Sequence, residues 1–188
     1  GTTLIQSLFD AHPNIAIPYE SPVILNLYRH YGQVIYWSED ILIKLFNDLH
    51  KIRKFETWPV NQNALKSDLL SMTGNHQFSE IIQVIYLHYQ SVFNKTEIRI
   101  VGDKNPIYSL HTAKLIRIFP KAKFIHIVRD YRDHILSVKK LGLIMKSTTL
   151  AAYRWKKSLK DIQKLKKKHP ENLFLFVMKI LLISQRKG

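Results

Sequence analysis

The stretch FIHIVRD, residues 124–130, indicates the fold class because an apolar run ends abruptly in an arginine and an aspartate. The run from Phe124 to Val128 has the length and the bounding charges of a strand buried on both faces. Asp130 stands where a helix N-cap would stand, so it predicts a helix across 131–141. A strand, a sharp turn and a helix together are one half of a βαβ crossover.

The same order of elements occurs earlier in the chain. Thr96 to Val101 predicts a strand, Gly102-Asp103-Lys104-Asn105-Pro106 a turn, and 107–118 a helix. Two such units predict a parallel sheet flanked by helices, which is an α/β fold. Ligands of such sheets gather at the carboxyl ends of the strands, so we expect Lys104 and Arg129 in one region.

Hydrophobic periodicity predicts the remaining elements. Apolar residues recur at helical spacing in several segments, and one short run of leucine, phenylalanine and valine follows the last of them. The pattern predicts helices over 4–9, 22–31, 38–54, 64–72, 78–94 and 149–168, and a final strand over 173–177.

The composition excludes several classes of protein. The chain has 188 residues, 46% of them hydrophobic, which suits one globular domain and not a disordered segment. It has no cysteine, which excludes disulfide scaffolds, thiolate catalysis and cysteine-ligated zinc. Its nine histidines show no metal-ligand spacing, and His126 is interpreted as a core residue with satisfied hydrogen bonds. No apolar run approaches the roughly 20 residues of a membrane span, so no membrane anchor is visible.

Positive charge is unevenly distributed along the chain. The 29 lysines and arginines face 14 acidic residues, for a formal net charge of +15. Eleven of the basic residues, with one aspartate, lie between Lys139 and Lys168. A solvated helix face accounts for this run, and the alternative is a field that attracts a polyanionic ligand. Nucleic acid is not expected, because the arginine and aromatic interleaving that reads bases is missing.

Gly1-Thr2-Thr3 stands directly before a predicted helix. Helix N-termini carry unpaired N–H groups and the positive end of the dipole, so they bind phosphate-like anions. Glycine permits close backbone approach, and the two hydroxyls add donors. A simple N-cap explains the triplet equally well, and no lysine precedes the threonines as it would in a Walker loop.

Four further side chains are candidates for contact with an anion or a proton. Arg129 and Ser137 are eight residues apart, about two helical turns, and could grip one phosphate together; a salt bridge from Arg129 to Asp130 or Asp133 is the alternative. Lys104 could reach an anion over the sheet. Glu20 lies in a loop rich in proline and tyrosine, where a solvated carboxylate is the ordinary interpretation.

Four of these segments, in this order, together resemble the sulfotransferase superfamily. Gly1-Thr2-Thr3-Leu4 through Asp10-Ala11-His12-Pro13 is similar to its R-S-G-T-T-L…L-D-A-H-P segment, and Gly102 to Pro106 is similar to its K-x-P turn. FIHIVRDYRDHILS, residues 124–137, resembles its 3′-phosphate segment, and Arg154-Trp155 falls where relatives often carry that pair. The resemblance covers about 1–177 and is closest to bacterial-type and tyrosylprotein sulfotransferases. It implies a P-loop-NTPase-like parallel sheet whose first strand would lie before Gly1.

The resemblance also implies roles for individual residues. The donor would be 3′-phosphoadenosine 5′-phosphosulfate (PAPS), with no metal. Gly1, Thr2 and Thr3 would cradle its 5′-phosphosulfate, and Arg129 with Ser137 would hold its 3′-phosphate. Lys104 would stabilise the leaving phosphate at the bridging oxygen. Glu20 occupies the place of the catalytic glutamate of the tyrosylprotein branch and would be the general base.

The same resemblance sets the expected organisation and partners. Residues 1–177 would be a partial sulfotransferase domain and 178–188 a divergent tail. The acceptor would be a hydroxyl on a carbohydrate, a phenol or a protein tyrosine. A bacterial-type enzyme would be cytoplasmic, and a member of the tyrosylprotein branch would be in the Golgi. The alternatives are a kinase-like phosphotransferase that needs Mg-ATP, a basic polyanion-binding module, and an inactive sulfotransferase fragment.

Overall fold

The structure, a computed structural model, describes residues 2–128 and 148–177. Helices and short strands alternate, and the chain divides into two units, Gly1–Pro106 and Ile107–Gly188. Two of the strand pairs in the described residues are parallel and one is antiparallel. The predicted α/β class and the predicted parallel pairing are therefore confirmed.

The first unit contains five helices and four two-residue strands among its described residues. In chain order they are α1 (Thr2–Asp10), β1 (Ile15–Ala16), α2 (Val23–Tyr31), β2 (Tyr36–Trp37), α3 (Glu39–Leu49), α4 (Gln62–Ser71), β3 (Gly74–Asn75), α5 (Phe78–Leu87) and β4 (Ile100–Val101). A 3-10 turn, Phe55–Thr57, follows α3.

The core of this unit lies among helices α2 to α5. In α3, Leu42, Leu45 and Leu49 are fully buried and share one face of the helix. The hydroxyl of Ser38 accepts from the Ile41 backbone and caps the start of the same helix. Burial of this face is the main stabilising contribution, since short helices are marginal by themselves.

Strands β1 and β4 pair in parallel although 85 residues separate Ile15 from its partner Ile100. The pairing extends one step further, where the Gly102 backbone donates to Ala16 at 2.9 Å. A Cβ on Gly102 would stand 3.2 Å from the side chain of Ile17. Glycine is therefore the residue that lets the chain after β4 lie closely against the chain after β1.

The second unit pairs β5 (Phe124–Val128) with β6 (Leu173–Val177) in parallel over five residues. A 3-10 segment, Pro106–Leu110, leads into α6 (Thr112–Ile118), and the basic helix α7 spans Thr148–Lys168. Asn172, in the turn before β6, donates to the carbonyls of Pro120 and Ala122 and so fixes the start of that strand against the approach to β5.

Several predicted boundaries are wrong. The helix predicted over 78–94 ends at Leu87, because the Gln90 backbone donates to Pro59 instead of continuing the helix. The strand predicted over 96–101 is reduced to Ile100–Val101, because the side-chain amide of Asn14 donates to the Glu97 carbonyl and to the Thr96 hydroxyl. The helix predicted over 107–118 is a 3-10 segment followed by α6, and the helix predicted over 131–141 lies outside the described residues.

Two predictions about β5 are also wrong. Ile125 is 41% exposed, so this strand is not buried on both faces within the described residues. The buried Nδ1 of His126 has no hydrogen-bond partner in the same part of the chain, so this histidine is not satisfied. In residues 2–128 and 148–177, no helix is both long and apolar enough to cross a bilayer.

Candidate active site

Glu20 and Lys104 lie together because each follows one of two paired parallel strands. Glu20 is in the loop after β1, and Lys104 is in the turn after β4. The carboxyl ends of parallel strands meet at one edge of a sheet, which brings the two loops side by side. The Nζ of Lys104 donates to Glu20 Oε2 at 3.1 Å. The structure therefore joins the two residues that the sequence suggested separately.

A second cation reaches the same carboxylate. Lys54 Nζ lies 3.5 Å from Glu20 Oε1, so the two carboxylate oxygens face two different ammonium groups. The side chains are neither sealed nor fully solvated: Glu20 is 34% exposed, Lys104 20% and Lys54 42%. The sequence-based interpretation of Glu20 as a merely solvated loop carboxylate is wrong. Its carboxylate remains open enough to meet a substrate while two cations orient it.

The backbone around Glu20 is held on both sides. The indole of Trp58 donates to the Tyr19 carbonyl at 2.6 Å, and the Ser21 hydroxyl donates to the Arg53 carbonyl at 3.0 Å. Ser21 is fully buried. Because the residues before and after Glu20 are both anchored, its Cα has little freedom, and a carboxylate on such a support is preorganised.

The start of the same loop is tied to α1. The Ile17 backbone donates to Asp10 Oδ1 at 2.9 Å, and the buried Gln6 amide donates to the Ile17 carbonyl at 2.8 Å. Both bonds come from the buried polar face of α1, which turns Leu4 and Leu8 outward. Thus α1 positions the loop by hydrogen bonds and not by an apolar stripe.

Asp10 is the centre of a buried polar cluster that supports this arrangement. It is 2% exposed, and its Oδ2 accepts from the Ser91 hydroxyl at 2.7 Å. Lys95 lies 3.5 Å from its carboxylate and also donates to the carbonyls of Asp10, His12 and Ile15. Burial of the neighbouring Tyr89 phenol, and then the negative charge of Asp10, raise the pKa of that phenol.

Lys54 carries an unusual backbone. It has φ 68°, and among the described residues it is the non-glycine position with positive φ. A left-handed conformation costs a non-glycine residue about 1–2 kcal/mol. The conformation places Lys54 at the start of the 3-10 turn, with its side chain against Glu20. Nothing in the sequence marks this lysine, which is one of several in a basic stretch after α3.

Asp103 has a structural contact in the turn after β4. Its Oδ2 accepts from the Tyr86 hydroxyl at 2.6 Å, which links the turn after β4 to α5. Residues 2–128 and 148–177 contain no cluster of three or more histidine or acidic side chains arranged to hold a metal ion.

The predicted donor-binding residues are only partly within the described chain. Thr2 and Thr3 begin α1, and both are exposed there, so their hydroxyls are accessible at the first turn of a nine-residue helix. Gly1, Arg129 and Ser137 lie outside the described residues, so their predicted contacts remain predictions. The residues that are described have the chemistry to hold an anionic donor: exposed hydroxyls at a helix start and a partly buried ammonium.

The arrangement provides two complementary chemical groups within one hydrogen bond of each other. A carboxylate can take a proton from a hydroxyl, and an ammonium can stabilise negative charge that develops on an oxygen. Both functions need groups that are held in place and still accessible, as Glu20 and Lys104 are.

Known proteins that are similar to this chain indicate its family. The profile of a family described as "Sulfotransferase family" matches residues 1–178. A similar solved structure is the sulfotransferase domain from the Synechococcus PCC 7002 olefin synthase, with a TM-score of 0.57 at 19% identity. The match covers 94% of this chain and 62% of that one, so this chain spans less than two thirds of that structure. No curated protein matches the chain. With the profile matched over nearly its whole length, the chain belongs to the sulfotransferase family.

Proposed function

We propose that this chain is part of an enzyme that transfers a sulfuryl group from PAPS to an acceptor hydroxyl. In this proposal Glu20 is the general base and Lys104 the group that stabilises the departing phosphate. The observation that carries the proposal is the 3.1 Å contact between Lys104 Nζ and Glu20 Oε2, at an accessible edge of the first unit.

The reaction balances with these two side chains. PAPS, when bound, supplies a sulfuryl group on a phosphate oxygen. A bond forms between the acceptor oxygen and sulfur, and the bond from sulfur to the bridging oxygen breaks. The hydroxyl proton passes to the Glu20 carboxylate. The negative charge left on the phosphate oxygen is met by the Lys104 ammonium.

In this proposal Lys104 acts both before the transfer and as the phosphate departs. Before transfer its ammonium donates to Glu20, which keeps the carboxylate oriented. An ammonium has three donors, so Lys104 can retain that bond and still donate to the phosphate oxygen. Lys54 holds the other carboxylate oxygen from a different element, so Glu20 stays in place as charge develops.

The remaining predicted contacts complete the proposal. Thr2 and Thr3 are exposed at the start of α1, where unpaired N–H groups favour the 5′-phosphosulfate. Arg129 and Ser137 are proposed to hold the 3′-phosphate, and Gly1 to contribute its backbone. The acceptor is proposed to be a hydroxyl of a carbohydrate, a phenol or a protein tyrosine, presented to the open side of Glu20.

The test separates chemistry from donor binding in the full-length protein. Glu20→Gln should lower the rate of sulfuryl transfer from PAPS by about 10²–10⁴-fold, the usual contribution of a general base. The affinity for 3′-phosphoadenosine 5′-phosphate, measured by calorimetry, should stay close to that of the unmodified protein. Arg129→Ala should instead weaken that affinity.

Glu97→Gln is the matched control, because Glu97 is an exposed glutamate whose carboxylate pairs with the nearby Arg99. It should change neither transfer nor nucleotide affinity. Transfer by Glu20→Gln at the unmodified rate would remove Glu20 from the mechanism. A requirement for Mg-ATP in place of PAPS would overturn the proposed reaction itself.

A further inference from the structure

The second unit contains a groove between α6 and α7 with a volume of about 650 Å³. That volume is within the range of ordinary small-molecule sites. It shares no residue with the Glu20 site. Its walls come from the segment around α6 and from one side of α7, and they consist of Leu110, His111, Thr112, Ala113, Lys114, Ile116, Arg117, Lys157, Asp161, Lys164, Leu165, Lys168 and His169.

The groove is strongly cationic. Five of its lining side chains are lysine or arginine, and Asp161 is the one carboxylate in that set. Asp161 is paired with Lys157 at 2.9 Å and with Lys164 at 3.9 Å, so it accounts for one charge and holds two lysines in place. An excess of positive charge in a concave surface focuses the field on whatever enters it.

Helix stability alone does not explain this concentration. Pairs three or four residues apart stabilise α7, and cations in its last turn complement the helix dipole. Those effects concern α7 only. Lys114 and Arg117 belong to α6 and face the same groove as Lys164 and Lys168. Cations from two elements that line one cavity repel one another, which raises the electrostatic energy of the empty groove. The same cations attract an anion and so lower its energy within the groove.

The pKa of His111 depends on the same positive charges. Burial lowers its pKa, and the repulsion by Lys114 and Lys157 lowers it further, while Asp161 acts in the opposite direction. The other titratable groups of the groove are Arg117, Lys164, Lys168 and His169. A bound anion would oppose the repulsion, so protonation of His111 and anion binding should favour one another.

The spacing of the α7 lysines indicates the shape of the ligand. Lys157, Lys164 and Lys168 are separated by seven and four residues, which is about 10 Å and 6 Å along a helix axis. A single small anion cannot contact all three. Apolar side chains such as Leu110, Ile116 and Leu165 also line the groove, which suits a ligand with a non-ionic skeleton.

We propose that the α6–α7 groove binds a linear oligoanion, a chain that carries several phosphate or sulfate groups along its length. This inference is independent of the proposed sulfuryl transfer, because no residue of the Glu20 site takes part in it.

Calorimetry on the full-length protein tests the proposal with three probes. Tripolyphosphate represents a free oligophosphate, a fully sulfated tetrasaccharide represents a sulfated chain, and inorganic sulfate represents a single anion. At least one oligoanion should bind at one site and at least about tenfold more tightly than sulfate, a difference of 1.4 kcal/mol. The oligoanion that binds more tightly identifies the source. Equal affinity for sulfate, or no saturable binding, would overturn the proposal.

Two double variants of α7 distinguish a site from a diffuse field. Lys164→Gln/Lys168→Gln removes two groove cations, and Lys160→Gln/Lys167→Gln removes two exposed lysines of the same helix that do not line the groove. The first double variant should weaken binding of the oligoanion by at least about tenfold, and the second should weaken it by less than about twofold. Equal losses in both would overturn the proposal, with circular dichroism to check that each variant keeps its helices.

A second readout depends on His111. Acidification from pH 7.5 to about pH 6 should strengthen oligoanion binding, because the ligand favours the protonated ring. His111→Gln should reduce that pH dependence and keep binding at pH 7.5. Affinity of the unmodified protein that does not change with pH would contradict the position given to His111 in the bound state.

Discussion

Lys104 Nζ contacts Glu20 Oε2 at 3.1 Å across 84 residues of sequence. The contact exists because β1 and β4 are parallel neighbours, so that the loops after both strands leave the same edge. A base and a cation that are hydrogen-bonded to each other cannot act independently. Removal of either one changes the position of the other.

This contact predicts strong coupling in a double-mutant cycle. Glu20→Gln and Lys104→Met should each lower kcat/KM for sulfuryl transfer, the lysine variant by about 10²–10³-fold. The double variant should be only slightly slower than the slower single variant, because groups that act as a unit give non-additive effects. Steady-state kinetics of the four proteins measures the coupling. Losses that simply multiply would mean that the contact has no part in turnover.

Substitution of Lys54 by glycine should change stability and activity in opposite directions. Lys54→Gly relieves the left-handed backbone, whereas Lys54→Ala retains it, and both remove the ammonium from Glu20. Lys54→Gly should therefore be about 1 kcal/mol more stable than Lys54→Ala, as measured by urea unfolding. Both should lose kcat/KM equally, and Lys54→Arg should recover part of it. Full activity of Lys54→Gly would show that Lys54 does not position Glu20.

Asp10 predicts a large loss of stability. Asp10→Asn leaves Lys95 close to a neutral group in a largely buried place, and breaking such a pair costs about 3–5 kcal/mol. The Asp10→Asn/Lys95→Met double variant should lose less than the sum of the single variants. Glu97→Gln, which breaks an exposed pair with Arg99, should leave the unfolding midpoint nearly unchanged. Equal effects at the two sites would contradict the burial of Asp10.

His126 predicts that acid lowers stability. Burial lowers its pKa from the ordinary 6.5, so the folded state binds this proton less readily than the unfolded state. Above pH 6.5 neither state holds this proton, so His126 does not reduce the free energy of unfolding. As the pH falls below that value the unfolded chain takes the proton first, and the free energy of unfolding decreases.

His126→Leu should reduce the fall in the unfolding midpoint between pH 7 and pH 5 and should raise the midpoint itself, because a buried unpaired nitrogen is removed. Part of the fall should remain, since burial and neighbouring lysines also lower the pKa of His111. Thermal unfolding at several pH values checks both results. A slope that does not change in His126→Leu would contradict the buried position of the ring.

The parts of the fold that depend on local pattern could be predicted from the sequence. The strand Phe124–Val128 and the basic helix lie where the sequence predicts them, although the strand is not buried on both faces as expected. The wrong boundaries are those that distant backbone groups decide. The end of α5 depends on a bond from Gln90 to Pro59, and β4 is shortened by the side chain of Asn14. No periodicity carries that information.

The candidate site shows the same division. The resemblance to sulfotransferases named Glu20 and Lys104, but the two-residue strand β1 that brings them together lies in a stretch where the sequence predicts no strand. Lys54 was not identified, because its role depends on a left-handed backbone and on a contact 34 residues away. The sequence therefore indicated which side chains to consider, and the long-range pairing decided which of them meet.

Lys95 donates to three carbonyls at and just after the end of α1. These contacts also determine when this part of the chain can fold. Lys95 follows Asp10, His12 and Ile15 by 85, 83 and 80 residues. During synthesis α1 therefore emerges long before the ammonium that fixes it. Contacts of such long range form late and slow folding. The segment made early is thus secured late.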